Sequence, residues 1–263
     1  MDLGLTGRAA LVGGASSGLG RATAAALAAE GCRVALWSRG GDGLDAVAED
    51  LRGRFGAEVV VLRGDATEPG TGARIAAEAT AALGPIEIAV LNSGGPPTVD
   101  PSRTDAAGWE RAFQLLAVTP IELASTLLPA MRERRWGRIV AILSSGVRQP
   151  IPDLVYSNAG RAALMAWLKT TARAVARDGV TLNGILPGRL DTPRVASLDR
   201  GRAEREGRSV ESVLETTLAT IPAGRYGRPE ELASYAAYLC STGAAYQTGT
   251  FAAVDGGLIA GLP

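Results

Sequence analysis

The sequence contains no histidine, a single lysine and two cysteines among its 263 residues. Without histidine, the chain has no imidazole for a general base, a catalytic triad or a metal ligand. Because Lys169 is the one lysine, every other basic side chain is an arginine, which stays charged near neutral pH. A mechanism that needs a cation titrating near neutral pH therefore has one candidate, and we expect no metal site.

The charges balance, with 27 basic and 27 acidic residues. Nucleic acids and acidic membrane surfaces both bind an excess of Lys and Arg, so we expect neither as a partner. Uninterrupted apolar runs are shorter than the roughly 20 residues of a membrane-spanning helix, and the first four residues show no feature of a secretion signal. Cys32 and Cys240 lie far apart and form no motif. These features predict a reduced, cytoplasmic protein.

Apolar runs typical of strands alternate with helical patterns along the chain. Strands are predicted at Arg8–Gly13, Arg33–Trp37, Glu58–Leu62, Ile86–Leu91, Arg138–Leu143, Thr181–Leu186 and Thr250–Val254. Helices are predicted near Gly18–Glu30, Gly43–Phe55, Thr71–Leu83, Asp105–Arg134 (long or broken), Tyr156–Arg177 and Pro229–Leu239. The alternation predicts an α/β fold, a doubly wound, Rossmann-like parallel sheet of about seven strands in a single domain over residues 1–263.

Residues 194–220 interrupt this alternation. A charged segment, 199–208, is followed by a weakly amphipathic run, Val210 to Leu218. An insertion between a strand end and the last helix is a common origin of a lid over a ligand site. A pair of solvated surface helices explains the same pattern equally well, and both interpretations stay open.

A glycine-rich stretch joins the first predicted strand to the first predicted helix. Gly14 permits a tight turn, and Gly18 lets the backbone approach a phosphate. Gly20 lets the helix pack close to the strand, and the free N–H groups at the helix start attract an anion. The predicted phosphate-binding residues are Gly14, Ser16, Ser17, Gly18 and Leu19.

The predicted strand ends carry polar or glycine residues, and ligands of open α/β sheets lie beyond those ends. The second strand ends in Ser38-Arg39. An acidic residue here would bind a ribose 2′-hydroxyl, whereas the planar donors of Arg39 suit a 2′-phosphate. We therefore predict NADP(H) in preference to NAD(H); a surface arginine that opens a loop is the alternative. Other such ends are Asp65-Ala66, Asn92 to Gly94, Ser144-Ser145 and Pro187 to Thr192.

Together these motifs resemble the short-chain dehydrogenase/reductase family, in the single-domain branch that includes the 3-oxoacyl-carrier-protein reductases. The resemblance covers nearly the whole chain. Its segments are the glycine loop, Asp65, Asn92 to Gly94, Gly137 to Val140, Ser144, Tyr156-Ser157, Asn183, Pro187 to Thr192, Gly227 to Glu231 and Val254 to Gly257.

The resemblance implies where a dinucleotide cofactor lies. The pyrophosphate and adenosine lie at the glycine loop, the adenine at Asp65 and Ala66, and the middle of the cofactor at Asn92 and Gly94. The nicotinamide end is implied at Pro187, Gly188, Leu190 and Thr192. The family also implies a homotetramer or homodimer that assembles through the two long helices over Asp105–Arg134 and Tyr156–Arg177.

The family's chemistry uses a Tyr as acid and base, a Ser that bonds the substrate oxygen, a Lys four residues after the Tyr, and an Asn on the preceding helix. The resemblance implies Tyr156 and Ser144 for the first two roles, and Ser145 stays an alternative to Ser144. Gly160 stands four residues after Tyr156, and Leu116 stands at the implied Asn position. Two of the four implied catalytic positions therefore depart from the family pattern.

These residues support a leading hypothesis and two rivals. The first is an NADP(H)-dependent reductase of a small-molecule ketone or 3-oxoacyl substrate, with Tyr156 as proton donor and Ser144 orienting the carbonyl. The second is a dinucleotide-binding protein without redox turnover. The third is a non-redox reaction assisted by Arg161 or by another arginine, such as Arg189 or Arg194 of the sixth-strand edge. The intact glycine loop disfavours the third, and Arg161 lies about 140° around the helix from Tyr156.

Overall fold

The computed structural model describes residues 2–261 and contains one sheet of parallel strands. The strands are β1 (Ala9–Gly13), β2 (Arg33–Ser38), β3 (Val59–Arg63), β4 (Ile88–Leu91), β5 (Gly137–Ile142), β6 (Val180–Pro187) and β7 (Phe251–Val254). Their order in the sheet is β3-β2-β1-β4-β5-β6-β7. The winding direction reverses between β1 and β4, which is where such sheets bind their ligands. The predicted doubly wound sheet and its seven strands are confirmed.

Helices cover both faces of the sheet. They are α1 (Gly18–Ala29), α2 (Asp42–Phe55), α3 (Thr71–Leu83), α4 (Ala106–Phe113), α5 (Thr119–Glu133), α6 (Val155–Val175), α7 (Pro193–Glu206), α8 (Val210–Leu218) and α9 (Pro229–Cys240). Apolar residues of α1, α2 and α9 pack on one face, and those of α3, α5 and α6 pack on the other. The sheet therefore lies between two apolar layers.

Successive strand residues pack into opposite layers, which explains the continuous apolar runs. Leu11 of β1 packs in the layer of α3, α5 and α6, whereas Val12 packs in the layer of α1 and α9. Ile139 and Val140 of β5 divide in the same way. Side chains alternate between the two faces of a strand, so a strand covered on both sides needs apolar residues at every position.

The long helical region before β5 is broken, as the sequence allowed. A π-helical turn, Gln114–Val118, separates α4 from α5. Pro120 has no N–H to donate to the carbonyl of Leu116, which favours a wider turn at that point. Gln114 donates to the Thr119 hydroxyl, which in turn donates over 2.8 Å to the carbonyl of Ala66. The break therefore fixes the loop that follows β3.

The segment predicted as a lid consists of the helices α7 and α8. Asp199 of α7 is 5 % exposed and accepts hydrogen bonds from the Tyr226 hydroxyl at 2.9 Å and from Arg189 at 3.3 Å. Val195 and Leu198 of the same helix line a cleft at the carboxyl edge of the sheet. The segment thus covers a cleft and is anchored to the body by one buried carboxylate. Its movement as a lid stays a prediction.

One stretch, Ala106–Glu133, is long and apolar enough to cross a membrane by length and composition. The mean hydropathy of its most apolar 18-residue window is 1.3. The sequence did not indicate such a stretch, because polar residues interrupt its apolar runs. Half of the window is buried inside the protein. The burial is that of a core helix, since α5 packs against α3 and the sheet.

Candidate active site

A cleft of about 440 Å³ opens at the carboxyl edge of the sheet, between the loops that follow β1 to β6 and the helix α7. Every predicted cofactor-binding residue lines this cleft. They are Gly14, Ser16, Ser17, Gly18, Leu19, Arg39, Asp65, Ala66, Asn92, Gly94, Pro187, Gly188, Leu190 and Thr192. Ser144 lines it as well, and Tyr156 does not. The structure therefore brings the predicted residues together in one cleft, except Tyr156, and their roles stay predictions.

The glycine loop between β1 and α1 is shaped by close backbone contacts. Gly14 has a φ of +58°, and a Cβ there would lie 2.6 Å from the Asn92 amide nitrogen. A Cβ at Gly20 would lie 2.2 Å from the carbonyl oxygen of Gly14, so α1 can begin against the turn only with glycine. Ser17, the residue before α1, makes no side-chain hydrogen bond to the helix start. The first N–H groups of α1 thus remain available for an anion.

Arg39 and Asp65 face each other at the end of the cleft beside β2 and β3. The N–H and hydroxyl of Thr67 hold the pKa of Asp65 below its usual value, and the positive charge of Arg39 lowers it further. No carboxylate among the side chains that the structure describes forms an ion pair with Arg39. Its planar donors therefore remain available to a ligand in the cleft.

Asn92 connects the loop after β4 to the glycine loop. Its side-chain N–H donates to the carbonyl of Gly13 over 3.1 Å. This bond fixes the position of Gly14 relative to Gly94, which lines the cleft on the β4 side. At the end of β6, a Cβ at Gly188 would lie 2.6 Å from the Cβ of Asp255. The wall formed by Pro187 and Gly188 is therefore set by packing against the segment after β7.

The structure distinguishes the two serines that follow β5. Ser144 lines the cleft, and its hydroxyl accepts a hydrogen bond from the N–H of Gly146 at 3.0 Å. This acceptor contact leaves the hydroxyl hydrogen of Ser144 free to donate into the cleft. Ser145 is 6 % exposed and does not line the cleft. The geometry favours Ser144, the first choice from the sequence.

Tyr156 does not reach the cleft, which corrects the expected position of this side chain. It is 6 % exposed, and its hydroxyl accepts a hydrogen bond from the N–H of Asp105 at 3.1 Å. Its ring meets Trp109 edge to face, with 4.7 Å between the ring centroids. A Cβ at Gly108 would lie 2.1 Å from the hydroxyl oxygen, so α4 fits over the phenol only with glycine there. Tyr156 therefore secures the start of α4.

The next residue along α6, Ser157, faces the cleft together with Arg161. The Nε of Arg161 donates to the Ser157 hydroxyl at 3.3 Å, and its terminal nitrogens donate to the carbonyls of Ile142 at 2.8 Å and Gly94 at 3.2 Å. Burial lowers the pKa of Arg161 to about 10, and the neighbouring Arg194 contributes to the decrease. A hydroxyl and a guanidinium thus lie one helical turn apart on the cleft wall.

The sequence analysis did not predict this pair, because it placed the family pattern with its tyrosine at Tyr156. One residue changes the direction of a helical side chain by about 100°, which is enough to turn position 156 away from the cleft. Leu164 and Leu168 are buried on the inner face of α6. Ser157 and Arg161 lie two helical turns before these leucines and so on the same face of α6. This apolar stripe was the feature of the sequence that could have predicted which face of α6 points inward.

Gly160 and Leu116 lie against each other behind the cleft wall. A Cβ at Gly160 would lie 3.0 Å from both Cβ and Cδ1 of Leu116, which is 1 % exposed. Neither residue lines the cleft. Lys169 donates to the carbonyl of Gly249 over 2.7 Å and also lies outside the cleft. Within residues 2–261, no cluster of three acidic or cysteine side chains is arranged to hold a metal ion.

Comparison with known proteins agrees with this geometry. The family model described as enoyl-(acyl carrier protein) reductase matches residues 14–259. The chain belongs to the short-chain dehydrogenase/reductase family. It is 31 % identical to a putative ketoacyl reductase of Streptomyces coelicolor, over 95 % of this chain and 96 % of the relative. It is likewise 31 % identical to the 3-oxoacyl-[acyl-carrier-protein] reductase of Escherichia coli, over 96 % and 97 % of the two chains.

Solved structures show the same architecture. L-sorbose reductase from Gluconobacter frateurii, solved with NADPH and L-sorbose, superposes with a TM-score of 0.94 at 31 % identity and covers 100 % of both chains. An actinorhodin polyketide ketoreductase variant with NADPH gives a TM-score of 0.91 at 31 % identity, over 96 % and 97 % of the chains. Both of these structures contain NADPH, so a nicotinamide dinucleotide is the ligand class that this cleft has to be tested against.

Proposed function

We propose that this protein reduces a small-molecule ketone or 3-oxoacyl substrate with NADP(H). The observation that carries the proposal is one continuous cleft with two distinct ends. One end contains the glycine loop and Arg39, and the other contains Ser144, Ser157 and Arg161. Relatives with this fold are ketoacyl reductases and NADPH complexes. Bound NADPH would supply the hydride, and the residues of the second end would handle the carbonyl oxygen.

The residues of the first end fit a dinucleotide phosphate. The glycine cradle would be filled by a Cβ at Gly14, and the start of α1 has no side-chain cap. These features leave backbone N–H groups for a pyrophosphate. Arg39 provides a charged fork for a 2′-phosphate, which favours NADP(H) over NAD(H). Asp65, Ala66, Pro187 and Gly188 line the cleft. In the proposed complex, the first two would lie beside the adenine and the last two beside the nicotinamide.

The second end provides donors for a carbonyl oxygen. Ser144 has a free hydroxyl hydrogen because its oxygen already accepts from Gly146. Ser157 has one as well, since its oxygen accepts from Arg161. The guanidinium of Arg161 would stabilise the negative charge that develops on the carbonyl oxygen during hydride transfer. Ser157, supported by that charge, would donate the proton, and solvent would replace it.

Steady-state NADPH oxidation against a panel of ketones and 3-oxoacyl thioesters tests this proposal. We expect turnover with at least one class, and we expect Ser144→Ala to reduce it strongly. Ser145→Ala is the matched control, because this neighbouring serine lies outside the cleft. Tight NADPH binding without turnover of any substrate would reject the reductase.

A second candidate is a dinucleotide-binding protein without turnover. The observation that favours it is the position of Tyr156, since no phenol lines the cleft within the described residues. The double substitution Ser157→Tyr with Arg161→Lys distinguishes the two functions. It places the family's two reacting groups on the cleft face, at positions four residues apart. Turnover that appears only in the double variant would identify the natural chain as a binder.

We also propose a cytoplasmic homodimer or homotetramer that assembles through α4, α5 and α6. Phe113, just before the π-helical turn, and Val118, its last residue, are 37 % and 43 % exposed, which is large for apolar side chains in a helical region. Both cysteines are free and buried thiols, as in a reduced compartment. Mass photometry of the purified chain and of Phe113→Glu tests the assembly, with a shift toward monomer expected for the variant.

A further inference from the structure

Two guanidinium groups face the substrate end of the cleft without a carboxylate partner. Arg161 extends from α6 and Arg194 extends from the first turn of α7. Both line the cleft. The two groups lie so close to each other that the charge of Arg194 contributes to lowering the pKa of Arg161. No carboxylate that the structure describes forms an ion pair with either group.

The two groups share one loop as a hydrogen-bond acceptor, in addition to the bonds of Arg161 to Ser157 and Ile142. Arg161 donates to the carbonyl of Gly94, and Arg194 donates to that of Pro96 over 2.6 Å. The guanidinium of Arg194 also lies beside Gly95, where a Cβ would come within 3.0 Å of its terminal nitrogen. These bonds hold the two groups at the same loop, at carbonyls two residues apart. Each terminal nitrogen carries a second hydrogen, so donors remain for a ligand.

The unbalanced charge is confined to this end of the cleft. Arg39 faces Asp65 at the other end, and the carboxylate of Asp65 stays ionised there. Asp199 is a buried carboxylate of α7, the helix that carries Arg194. It already accepts hydrogen bonds from Tyr226 and Arg189. Arg161 is partly removed from water, and Arg194 beside it is exposed. Two like charges without a carboxylate partner, one of them partly desolvated, are costly to the folded protein. A bound anion would offset that cost.

The glycine loop, which would hold the phosphates of a dinucleotide, lies apart from Arg161. The glycine loop follows β1, whereas Arg161 contacts Ile142 at the end of β5. The strand β5 lies two positions from β1 in the sheet, a lateral separation of roughly 10 Å. An anion held between Arg161 and Arg194 would therefore be a group of the substrate.

We propose that the substrate is an oxo acid, whose carboxylate binds Arg194 and Arg161 while its ketone faces Ser144 and Ser157. The proposal rests on the proposed reductase function and specifies its substrate class. A planar carboxylate with two oxygens matches the donor geometry of guanidinium groups. Val195 and Leu198 of α7 provide the apolar wall beside the arginines, which suits a short hydrocarbon chain.

Matched acids and esters test the proposal. The probes are 2-, 3- and 4-oxopentanoate and their methyl esters, titrated calorimetrically into the NADPH-loaded protein and then assayed for NADPH oxidation. We expect at least one acid to bind about tenfold to a hundredfold more tightly than its ester, the range for a charge-assisted contact. Arg194→Gln should reduce the acid-to-ester ratio in both binding and kcat/KM.

Arg200→Gln is the matched control, because Arg200 lies on the exposed side of the same helix outside the cleft. Equal binding of acids and esters would overturn the proposal, as would an unchanged ratio in Arg194→Gln. Stronger binding of inorganic phosphate than of every acid would overturn the carboxylate assignment. Acid-selective binding without NADPH oxidation would reject the reductase function and retain the anion site, so the two failures are distinguishable.

Discussion

The Nε of Arg161 donates a hydrogen bond to the hydroxyl of Ser157 over 3.3 Å, from one turn of α6 to the preceding turn. This bond lies on the cleft wall, whereas Tyr156 on the adjacent helix position contacts Asp105 on the far side. In the proposed reductase, the reacting end of the cleft would be built on a serine and an arginine. Substitutions on the two sides of α6 should have different consequences, one for turnover and the other for stability.

Ser157→Ala removes the proposed proton donor and leaves the helix intact. We expect kcat to fall by about 10²- to 10⁴-fold, the range for loss of a positioned general acid, with the Kd for NADPH unchanged. Tyr156→Phe removes the acceptor of the Asp105 N–H and should cost about 1 kcal/mol of unfolding free energy, the value of one hydrogen bond. Steady-state kinetics and urea denaturation measure the two effects.

Each of the two variants serves as the control for the other, because the two residues are neighbours in one helix. A large loss of turnover in Tyr156→Phe with Ser157→Ala unaffected would return the catalytic role to the tyrosine. In that case α4 would have to move away from Tyr156 during the reaction.

Introducing a lysine gives opposite predictions at two adjacent positions. Gly160→Lys directs its Cβ at Leu116, 3.0 Å away, and overpacking of this kind costs about 1–3 kcal/mol. Arg161→Lys keeps a cation on the cleft face. We expect Gly160→Lys to lower the thermal unfolding temperature without raising activity, and Arg161→Lys with Ser157→Tyr to raise kcat. Activity gained by Gly160→Lys alone would instead show that position 160 reaches the cleft.

The fold followed from the sequence because its signals are redundant. Seven largely apolar runs alternate with helices, and a strand such as β4 is apolar at each position. The cleft followed for the same reason, since parallel strands all end at one edge. The side chains of α6 that face the cleft were harder to predict. A shift of one residue along a helix changes which side chains face the cleft, and a single motif gives no independent check of that position. Tyr156 is a plausible match by type, and only its contacts with Asp105 and Trp109 show its direction.

The position of Arg39 predicts the cofactor preference. Arg39→Ala should raise the Kd for NADPH about tenfold to a hundredfold, since a charge-assisted contact is worth about 1.5–3 kcal/mol, and should leave the Kd for NADH unchanged. Fluorescence titration of both cofactors measures the ratio. Arg134→Ala is the control, because Arg134 is exposed at the end of α5, at the opposite edge of the sheet. Equal weakening for both cofactors would mean that Arg39 holds no 2′-phosphate.

The anchor of α7 predicts a dependence of stability on alkaline pH. Burial, followed by the hydrogen bond to Asp199 and its negative charge, raises the pKa of Tyr226 to about 12. Between pH 10 and pH 12 the unfolded tyrosine loses its proton while the folded one keeps it. The folded state then binds more protons, so the free energy of unfolding falls as pH rises through this window.

Tyr226→Phe tests this linkage. At pH 8 the variant should be less stable by about 1 kcal/mol, because its hydrogen bond to a charged group is lost in a partly solvated place. Between pH 10 and pH 12 it should lose less stability than the natural chain, so the two urea curves approach each other. Tyr246→Phe is the control, since Tyr246 is fully exposed. Parallel pH profiles for the natural chain and Tyr226→Phe would show that the Asp199 contact does not hold α7 in place.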